Sequence, residues 1–381
     1  MSRRVFFYVQ HLLGTGHLRR AAAVARALAA AEFDVLLVSG GAPVSGLDSG
    51  GARFHQLPPV RARDESLREL SRLDGTPLDP AFCAQRTDML VGLLQSEAPD
   101  IVVTEQFPFG RTRLRFELMP LLAAARALPR RPSVFASVRD VLRESASPAR
   151  IAETLDTFDA WFDGVLVHGD PTLLGLDRSF AGWSRIQNRA HYTGYVIEGE
   201  CPLSTPGGAG AGEIVVSTGG GAVGGPLLRA ALAARPLTSL AGRTWRLLLG
   251  GNMGADEKAA MRRQSGVGIV IEPERRDFTT LLANAALSIS QAGYNTVVET
   301  LACADRAVLV PFATPRETEQ MRRAQALAER GLVQMVPPGA LDGATLAAAI
   351  EQAMAGPSLR RRPRIDADGA RATAALLARL A

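Results

Sequence analysis

The sequence has little of several residues and patterns that would mark particular classes of protein. Its three cysteines, Cys83, Cys201 and Cys303, are far apart and form no CxxC or Cys/His ligand pair, so neither a disulfide framework nor a zinc site is predicted. The five histidines show no metal-ligand spacing either. No uninterrupted apolar run approaches the roughly 18 residues of a membrane span. We therefore expect no metal, no other cofactor and no transmembrane helix.

Lysine is almost absent: Lys258 is the only one, and the other basic residues are arginines. A net charge of +5 on 381 residues is compatible with nucleic acid, anionic lipid surfaces or phosphorylated substrates as partners. The basic residues are largely scattered, however, and no basic motif is interleaved with aromatic residues. Nucleic acid is therefore not predicted as a partner.

The composition that remains is that of a globular protein. The chain is 47% apolar and 21% charged, and its length fits two domains of ordinary size. The apolar stretch near the start is interrupted by Gln10 and His11, and no small-residue cleavage site follows, so we interpret it as strand and loop and not as a signal peptide. A cytoplasmic protein is expected, with peripheral contact to the inner membrane face left open.

The first half alternates between strand and helix patterns. An apolar run at 5–9 leads into a glycine turn, a helix from about 18 to 31 and a second strand at 35–38. This β-turn-α-β opening is typical of a parallel, doubly wound α/β sheet. Further strands are predicted at 100–104, 134–138, 164–168 and 192–196, while residues 59–86 are polar and irregular before a helix resumes near 81.

Polar side chains follow several of these strands. His17 comes after the first strand at a helix start, where open α/β sheets bind ligands, so it is a candidate base or hydrogen-bond donor; alternatively it caps its own helix. Glu105 and Arg111 follow a later strand and are cleft candidates, with a surface ion pair as the alternative. Because carboxyl ends of parallel strands meet at one edge, a cleft is predicted there. Its other candidates are Arg139, Asp140 and His168.

The second half repeats this organisation after a Pro/Gly-rich segment at 199–212, which is predicted to be a linker. A strand at 213–218 leads into Gly219, Gly220 and Gly221 and then a helix. Such a loop lets backbone N–H groups bind diphosphate, although a merely flexible loop is the alternative. It is not a P-loop, since no Gly-Lys-Ser/Thr follows.

The stretch 287–299 is the most informative in the chain. It predicts a buried strand, a turn at Gly293 and a helix whose first turns carry Tyr294, Asn295, Thr296 and Glu299. This layout is typical of an anion- or nucleotide-binding junction, where a carboxylate one turn into the helix can reach ribose hydroxyls. The alternative is a capping box, because Thr296 and Glu299 have S/T-x-x-E spacing.

These motifs carry a family resemblance over nearly the whole chain. SQAGYNTVVE at 290–299, VPF at 310–312, EQxxRA at 319–324 and AxxG at 328–331 resemble the C-terminal half of GT-B glycosyltransferases, especially the lipid-linked N-acetylglucosaminyltransferases of family 28. YVQHLLGTGHLRR at 8–20 and VSGG at 38–41 resemble a bacterial set described as predicted glycosyltransferases.

The resemblance implies a fold and site roles. It implies two Rossmann-like domains that face each other across a cleft, at 1–198 and 213–360, with a C-terminal helix in 361–381 that packs back on the first domain. Glu299 would bind the ribose of a nucleotide, and Glu319 and Gln320 would contact the donor sugar. The nucleobase of the donor would contact the backbone at Arg275 and Arg276. The diphosphate would lie along the glycine loop and residues 293–296, while Gly14, Gly16 and His17 would face the acceptor.

The implied activity is a metal-independent, inverting transfer from a nucleotide sugar, such as a UDP-sugar, to an acceptor hydroxyl, with His17 or Glu105 as base. The acceptor, whether glycan, lipid-linked or small molecule, is not specified, because the chain has Glu319-Gln320 where the peptidoglycan enzymes have a Gln-Gln pair. GTGHxxR also resembles a hydrolase that releases UDP from a sugar in pseudaminic acid synthesis. Hydrolysis by water is therefore one alternative, and a non-catalytic nucleotide-sugar-binding protein is another.

Overall fold

The computed structural model describes residues 2–63, 69–142, 147–199, 201–220, 223–314, 318–361 and 365–380. The chain divides into two compact units, of which the first contains Met1–Glu198 and Asp368–Ala381 and the second Gly199–Ala367. Each unit has its own parallel β-sheet. Over the described part of the chain, no helix combines the length and the apolar character needed to cross a bilayer.

The first unit is built from a run of alternating strands and helices. Its strands are β1 (Arg4–Val9), β2 (Asp34–Ser39), β3 (Arg53–Gln56), β4 (Arg61–Ala62), β5 (Leu70–Ser71), β6 (Ile101–Glu105), β7 (Ser133–Arg139), β8 (Gly164–His168) and β9 (Ala190–Tyr192). Its helices are α1 (Gly16–Ala30), α2 (Pro80–Glu97), α3 (Arg115–Arg126), α4 (Pro148–Trp161) and α5 (Trp183–Ile186).

Seven of these strands form one parallel sheet in the order β3-β2-β1-β6-β7-β8-β9, while β4 and β5 form a separate antiparallel pair. The chain moves outward from β1 to β3 and then returns to the other side of β1 at β6. At such a reversal the loops after the two neighbouring strands diverge, which opens a crevice at their carboxyl ends. In the first unit this crevice lies between the ends of β1 and β6.

Both faces of this sheet are buried. Val5, Phe7 and Val9 of β1 pack in one apolar cluster with α1, whereas Phe6 and Tyr8 pack on the opposite face with α2 and α3. Successive strand residues point to opposite faces, so a strand covered by helices on both sides reads as a continuous apolar run. The run at 5–9 could be predicted for this reason.

The second unit has the same organisation. Its strands are β10 (Ile214–Ser217), β11 (Trp245–Leu249), β12 (Ile269–Pro273), β13 (Leu287–Ser290), β14 (Ala307–Leu309) and β15 (Gln334–Met335). Its helices are α6 (Gly225–Ala234), α7 (Ala255–Arg262), α8 (Phe278–Asn284), α9 (Tyr294–Cys303), α10 (Glu319–Glu329) and α11 (Gly343–Ala355). The parallel order β12-β11-β10-β13-β14-β15 reverses between β10 and β13. Both units therefore show the predicted doubly wound α/β organisation.

The last helix, α12 (Gly369–Leu380), belongs to the first unit. Ala374 and Leu377 are buried in the same apolar cluster as α1. The amide of Gly369 donates to the carbonyl of Tyr195 at 2.9 Å. A Cβ at Gly369 would lie 2.4 Å from the carbonyl oxygen of Gly194, so this close approach requires glycine.

The Pro/Gly-rich segment predicted as a linker packs on the second unit through Asn284. The Asn284 side-chain oxygen accepts from the amide of Thr205 at 2.7 Å, and its Nδ2 donates to the carbonyl of Ala209 at 2.9 Å. The backbone amide of Gly212 also donates to the carbonyl of Asn284 at 3.0 Å. Asn284 thus satisfies backbone groups of a segment that has no regular structure.

Some local predictions differ from the structure. The strand predicted at 192–196 is instead β9, and it ends at Tyr192 because Gly194 adopts a φ of +83°. The region 59–86, predicted as irregular, contains β4 and β5, whose Ala62 and Leu70 pack around Leu12. Residues 64–68 of that region lie outside the described residues.

Candidate functional site

The crevice of the first unit brings His17 and Glu105 together. His17 is the second residue of α1, and Glu105 is the last residue of β6. Nδ1 of His17 lies 2.9 Å from Oε1 of Glu105. The carboxylate side chain is fully buried, whereas the imidazole is 15% exposed. The two residues that the sequence offered as alternative bases therefore form one pair, with the imidazole on the solvent side.

A chain of hydrogen bonds continues inward from Glu105. Ser137 Oγ donates to Oε2 of Glu105 at 2.6 Å and lies 3.0 Å from Nε2 of His168. Nδ1 of His168 lies 2.9 Å from Oγ1 of Thr193. Because the Ser137 hydroxyl has one proton, and that proton goes to the carboxylate, His168 donates to Ser137 and accepts from Thr193.

The carboxylate of Glu105 determines the tautomer of His17. Oε1 is an acceptor, so Nδ1 of His17 carries the proton that faces it, and Nη2 of Arg20, 3.3 Å from Nδ1, donates to the same Oε1. Nε2 of His17 is then left with its lone pair. An imidazole oriented in this way by a carboxylate is the arrangement of a general base.

The surroundings keep His17 neutral. Burial, followed by the positive charges of Arg139, Arg111 and Arg20, holds the pKa of His17 well below its ordinary value. Arg20 is itself buried and pairs with Glu105. Burial also lowers the pKa of His168 to about 3, so His168 is a neutral positioning residue that acts through Ser137 and lies away from solvent.

Arg139 is the last residue of β7, Arg111 follows the neighbouring strand β6, and the charges of both act on His17. Nε of Arg111 donates to the carbonyl of Gln10 at 2.7 Å. Burial lowers the pKa of Arg111 to about 10; Glu105 opposes that shift, while Arg139 and Arg20 add to it. The surface ion pair offered as an alternative for Glu105 and Arg111 is not observed, because Glu105 is buried and pairs with His17 and Arg20.

The remaining acceptor-side candidates are Gly14 and Gly16, at the start of α1, and Asp140, after β7. Gly16 begins α1, and Gly14 precedes it in a loop with open space around its Cα. The helix cap, Thr15, makes no side-chain capping bond. Asp140 is fully buried at the end of β7, where a Cβ on Gly169 would lie 2.8 Å from its Cβ. Asp140 therefore packs against the turn after β8.

A second buried network, which no sequence pattern predicted, lies beneath the loop after β1. Nε and Nη2 of Arg86 donate to Glu117 at 2.8 and 2.9 Å. Nη2 also donates to Tyr8 and Gln10, each at 3.1 Å. Arg86 shares a helix face with Leu90 and Leu94 at intervals of four. An arginine on an apolar face was the signal that could have revealed a buried partner.

In the second unit the loops after β10 and β13 lie side by side at the strand reversal. Gly219 has a φ of +61°, and a Cβ there would lie 3.3 Å from Oγ1 of Thr296. Nε2 of Gln291 donates to the carbonyl of Val223 at 3.2 Å, which joins the two loops. The glycine loop is thus held against the start of α9. Gly221 lies outside the described residues.

Helix α9 begins at Tyr294, and its N-cap is Gly293, which has no side-chain capping bond. A capping box requires the threonine to be the N-cap, so the capping-box alternative for Thr296 and Glu299 is wrong. Tyr294 is 3% exposed, and its ring packs near the guanidinium of Arg323. Asn295, Thr296 and Glu299 are half-buried, with Glu299 one turn beyond Asn295. The helix presents the positive end of its dipole at Gly293.

Gln320 and Arg323 fix the backbone just before this helix. The side-chain oxygen of Gln320 accepts from the amides of Ala292 and Phe312 at 3.0 and 3.1 Å. Nη1 of Arg323 donates to the carbonyl of Ala292 at 2.8 Å, and Nη2 donates to Glu319 at 2.9 Å. Glu319 is therefore buried in an ion pair, and Arg323, part of the EQxxRA motif but not a predicted site residue, is a supporting residue of the site.

The other predicted donor residues lie after β12 and β10. Arg275 pairs with Asp277 at 2.6 Å and Glu272 at 3.3 Å, while Arg276 is exposed. The carbonyl of Gly220 accepts from Nδ2 of Asn252 at 2.8 Å. No group of three or more His, Cys, Asp or Glu side chains that could hold a metal ion occurs in the part of the chain that the structure describes.

Comparison with known proteins confirms the resemblance seen in the sequence. Residues 215–376 match the family model described as glycosyltransferase family 28 C-terminal domain. The UDP-N-acetylglucosamine–N-acetylmuramyl-(pentapeptide) pyrophosphoryl-undecaprenol N-acetylglucosamine transferase of Geotalea uraniireducens (strain Rf4) is 28% identical over 124 residues. That match spans 32% of this chain and 34% of the relative.

Solved structures match over nearly the whole length of the chain. The MurG structure of Acinetobacter baumannii gives a TM-score of 0.58 at 16% identity and covers 99% of this chain and 100% of that one. A putative UDP-N-acetylglucosamine 2-epimerase from Listeria monocytogenes gives a TM-score of 0.65 at 11% identity, with 99% and 96% covered. At these identities the matches show the fold, which is the predicted GT-B class with two Rossmann-like domains.

Proposed function

We propose that this protein is a glycosyltransferase. It transfers a sugar from a nucleotide sugar held by the second unit to an acceptor hydroxyl held by the first. The observation that carries the proposal is the pair of His17 and Glu105 at the strand reversal of the first unit, with Nδ1 and Oε1 2.9 Å apart. The family 28 match over 215–376 supports the donor half.

The base of the proposed reaction is Nε2 of His17. It is the outward-facing nitrogen of a neutral, oriented imidazole, so it can accept the proton of an acceptor hydroxyl as the oxygen attacks the anomeric carbon. Glu105 stabilises the resulting imidazolium, and Ser137 and Arg20 hold that carboxylate in place. Direct attack breaks the bond from the anomeric carbon to the diphosphate on the opposite face, so the configuration inverts.

The donor side of the proposal rests on α9 and the loop at Gly219. The departing diphosphate gains negative charge, which the helix dipole and the first-turn N–H groups of α9 stabilise. We propose that this replaces a metal ion. Glu299, one turn further, would bind the ribose hydroxyls. Gln320 uses its oxygen for the backbone of Ala292 and Phe312, which leaves its amide nitrogen to donate to the sugar.

The nucleotide is proposed to be a uridine diphosphate, because the curated relative bears UDP-N-acetylglucosamine in its name. The test is thermal unfolding with UDP, GDP, CDP and dTDP in turn. A ligand at about 100 times its Kd adds roughly 2.7 kcal/mol to the folded state. We expect UDP to raise the unfolding temperature of wild type. Glu299→Ala should weaken UDP binding by about 1.5–3 kcal/mol, the scale of hydrogen bonds to a charged group, and should therefore show a smaller shift.

The matched control is Glu329→Ala, since Glu329 is an exposed glutamate at the end of α10. It should leave the UDP shift unchanged. Equal shifts in wild type and Glu299→Ala would contradict the ribose assignment. No shift with any of the four nucleotides would contradict the donor site as a whole.

Hydrolysis is the second candidate, since water could replace the acceptor hydroxyl at His17. The two reactions are separated by measuring UDP release from UDP-sugars with and without a panel of hydroxyl acceptors. A transferase releases UDP much faster when its acceptor is present, whereas a hydrolase releases it at the same rate in water alone. A protein that binds the nucleotide sugar and releases nothing under either condition is a sensor.

A further inference from the structure

Arg111 is an arginine whose hydrogen-bonding capacity is mostly unused. Its Nε donates to the carbonyl of Gln10 at 2.7 Å, and this is the one hydrogen bond that its guanidinium makes to the described residues. The four N–H groups on Nη1 and Nη2 remain as donors. The Nε bond orients the guanidinium, and the backbone of Arg111 has a φ of 60° that a non-glycine residue rarely adopts.

Gln106 adds an unused donor to the same turn. Its residue is 8% exposed, and its Nε2 is buried without a hydrogen-bond partner. It also has a positive φ, 68°. A Cβ on Gly110 would lie 3.4 Å from Oε1 of Gln106, so this side chain lies directly beneath the residue that precedes Arg111. A buried donor without an acceptor costs free energy unless a ligand completes it.

Three arginines contribute positive charge near this turn. Arg20, Arg111 and Arg139 all act on His17, while the carboxylate that acts on Arg111 is Glu105. Glu105 is already bonded to His17, Arg20 and Ser137. Arg139 makes interactions of its own, so Arg111 is the arginine whose Nη groups have no hydrogen bond to the described residues. His11, buried beside Arg111, is neutral because burial lowers its pKa to about 4.

We propose that the turn from Gln106 to Arg111 binds an anionic group, a phosphate or a carboxylate, that the acceptor carries close to its reacting hydroxyl. Arg111 presents a fork of N–H groups that matches either anion, and Gln106 supplies a further donor. The inference rests on the proposed acceptor role of the first unit. It restricts the acceptor to anionic molecules, which excludes neutral sugars and neutral lipids.

The test is isothermal titration of the full chain with inorganic phosphate and, separately, with acetate. The variants are Arg111→Gln and the control Arg113→Gln, at an exposed arginine in the short helical turn Thr112–Leu114 that follows. We expect wild type to bind one of the two anions and Arg111→Gln to bind it about tenfold or more weakly. Arg113→Gln should stay within about twofold of wild type.

Binding of phosphate alone identifies a phosphorylated acceptor, and stronger binding of acetate identifies a carboxylate. Arg111→Lys keeps the charge but loses the planar fork, so its affinity should fall between those of wild type and Arg111→Gln. Loss of binding in Arg111→Lys equal to that in Arg111→Gln would assign Arg111 to holding the Gln10 carbonyl and would overturn the proposal. Equal anion affinity in wild type and Arg111→Gln would overturn it as well.

The same samples are tested with UDP, so that the two proposals can fail separately. If anion binding depends on Arg111 but UDP has no effect, the anion subsite is supported and the donor site is contradicted. A UDP response combined with anion binding that Arg111→Gln leaves intact does the reverse, since the two sites are built from residues of different units.

Discussion

Ser137 Oγ lies 2.6 Å from Oε2 of Glu105. Through this bond a buried serine orients the carboxylate that holds His17, whose imidazole is on the solvent side. The serine proton faces Oε2, and Oε1 accepts from Nδ1 of His17 and from Arg20. The residue that reacts is therefore positioned from two strands away, by β7 acting on β6.

Replacing Glu105 with glutamine tests the pair directly. Glu105→Gln keeps the shape of the side chain but removes the charge that stabilises the protonated imidazole. We expect kcat to fall by about 10²–10⁴-fold, the usual contribution of acid–base catalysis, with little change in KM. Glu153→Gln, at a glutamate whose side chain is 55% exposed, should have no effect. Steady-state kinetics decide, and an unchanged kcat in Glu105→Gln would rule out the dyad.

His168 should make the protein sensitive to acid. Its pKa is about 3 in the folded protein against about 6.5 when unfolded. Below pH 6.5 the unfolded chain therefore takes up a proton that the folded chain refuses, and stability falls as pH drops from 6.5 toward 3. The loss is about 1.4 kcal/mol per pH unit, or about 2 kcal/mol at pH 5.

The check is urea unfolding of wild type and His168→Gln at about pH 7.5 and about pH 5. The variant loses the buried imidazole but keeps one N–H donor for Ser137. Its stability should therefore fall less on acidification than that of wild type, by about 2 kcal/mol. Contributions from carboxylates cancel in this comparison. Identical losses in the two proteins would mean that His168 is already protonated when folded.

Gly40, which packs against the second buried network, and Gly92, which is exposed, should respond in opposite ways to replacement by alanine. A Cβ on Gly40 would lie 2.1 Å from Oε1 of Gln10 and 2.6 Å from Nη2 of Arg86. Gly40→Ala must therefore displace a buried ion pair and should destabilise the protein by about 3 kcal/mol or more. Gly92, which is exposed on α2, has nothing within 4 Å of its Cβ position. Gly92→Ala should instead stabilise by about 0.5–1 kcal/mol.

Thermal unfolding of the two variants beside wild type measures both effects. Gly40→Ala should unfold at a lower temperature and Gly92→Ala at a slightly higher one. A Gly40→Ala protein as stable as wild type would show that the contacts of Gln10 and Arg86 rearrange without cost.

The sequence was sufficient where local pattern determines structure. Strands such as β1 and β10 are apolar because both faces are covered, and α12 has its apolar residues at helical spacing, so their positions could be predicted. Strand β3, with the sequence RFHQ, lies at a sheet edge and is partly exposed. It carries no such pattern and was not predicted.

The sequence predicts where the site residues lie, but not which of them are hydrogen-bonded or paired with each other. The carboxyl ends of strands locate His17, Glu105 and His168 on one edge, because parallel strands share a direction. No spacing in the sequence says that Ser137 joins Glu105 to His168, or that Glu117 pairs with Arg86, since these residues meet through strand order and helix packing. The role of Gly293 as N-cap likewise depends on where α9 begins.

The position of α12 has a consequence for biosynthesis. Residues 369–380 complete the apolar layer over α1, yet they leave the ribosome after the entire second unit. The first half of the chain must therefore remain with that layer uncovered while about 170 further residues, Gly199–Ala367, are translated. At about 5–20 residues per second this lasts about ten to thirty seconds, during which the part of α1 that α12 later covers stays exposed.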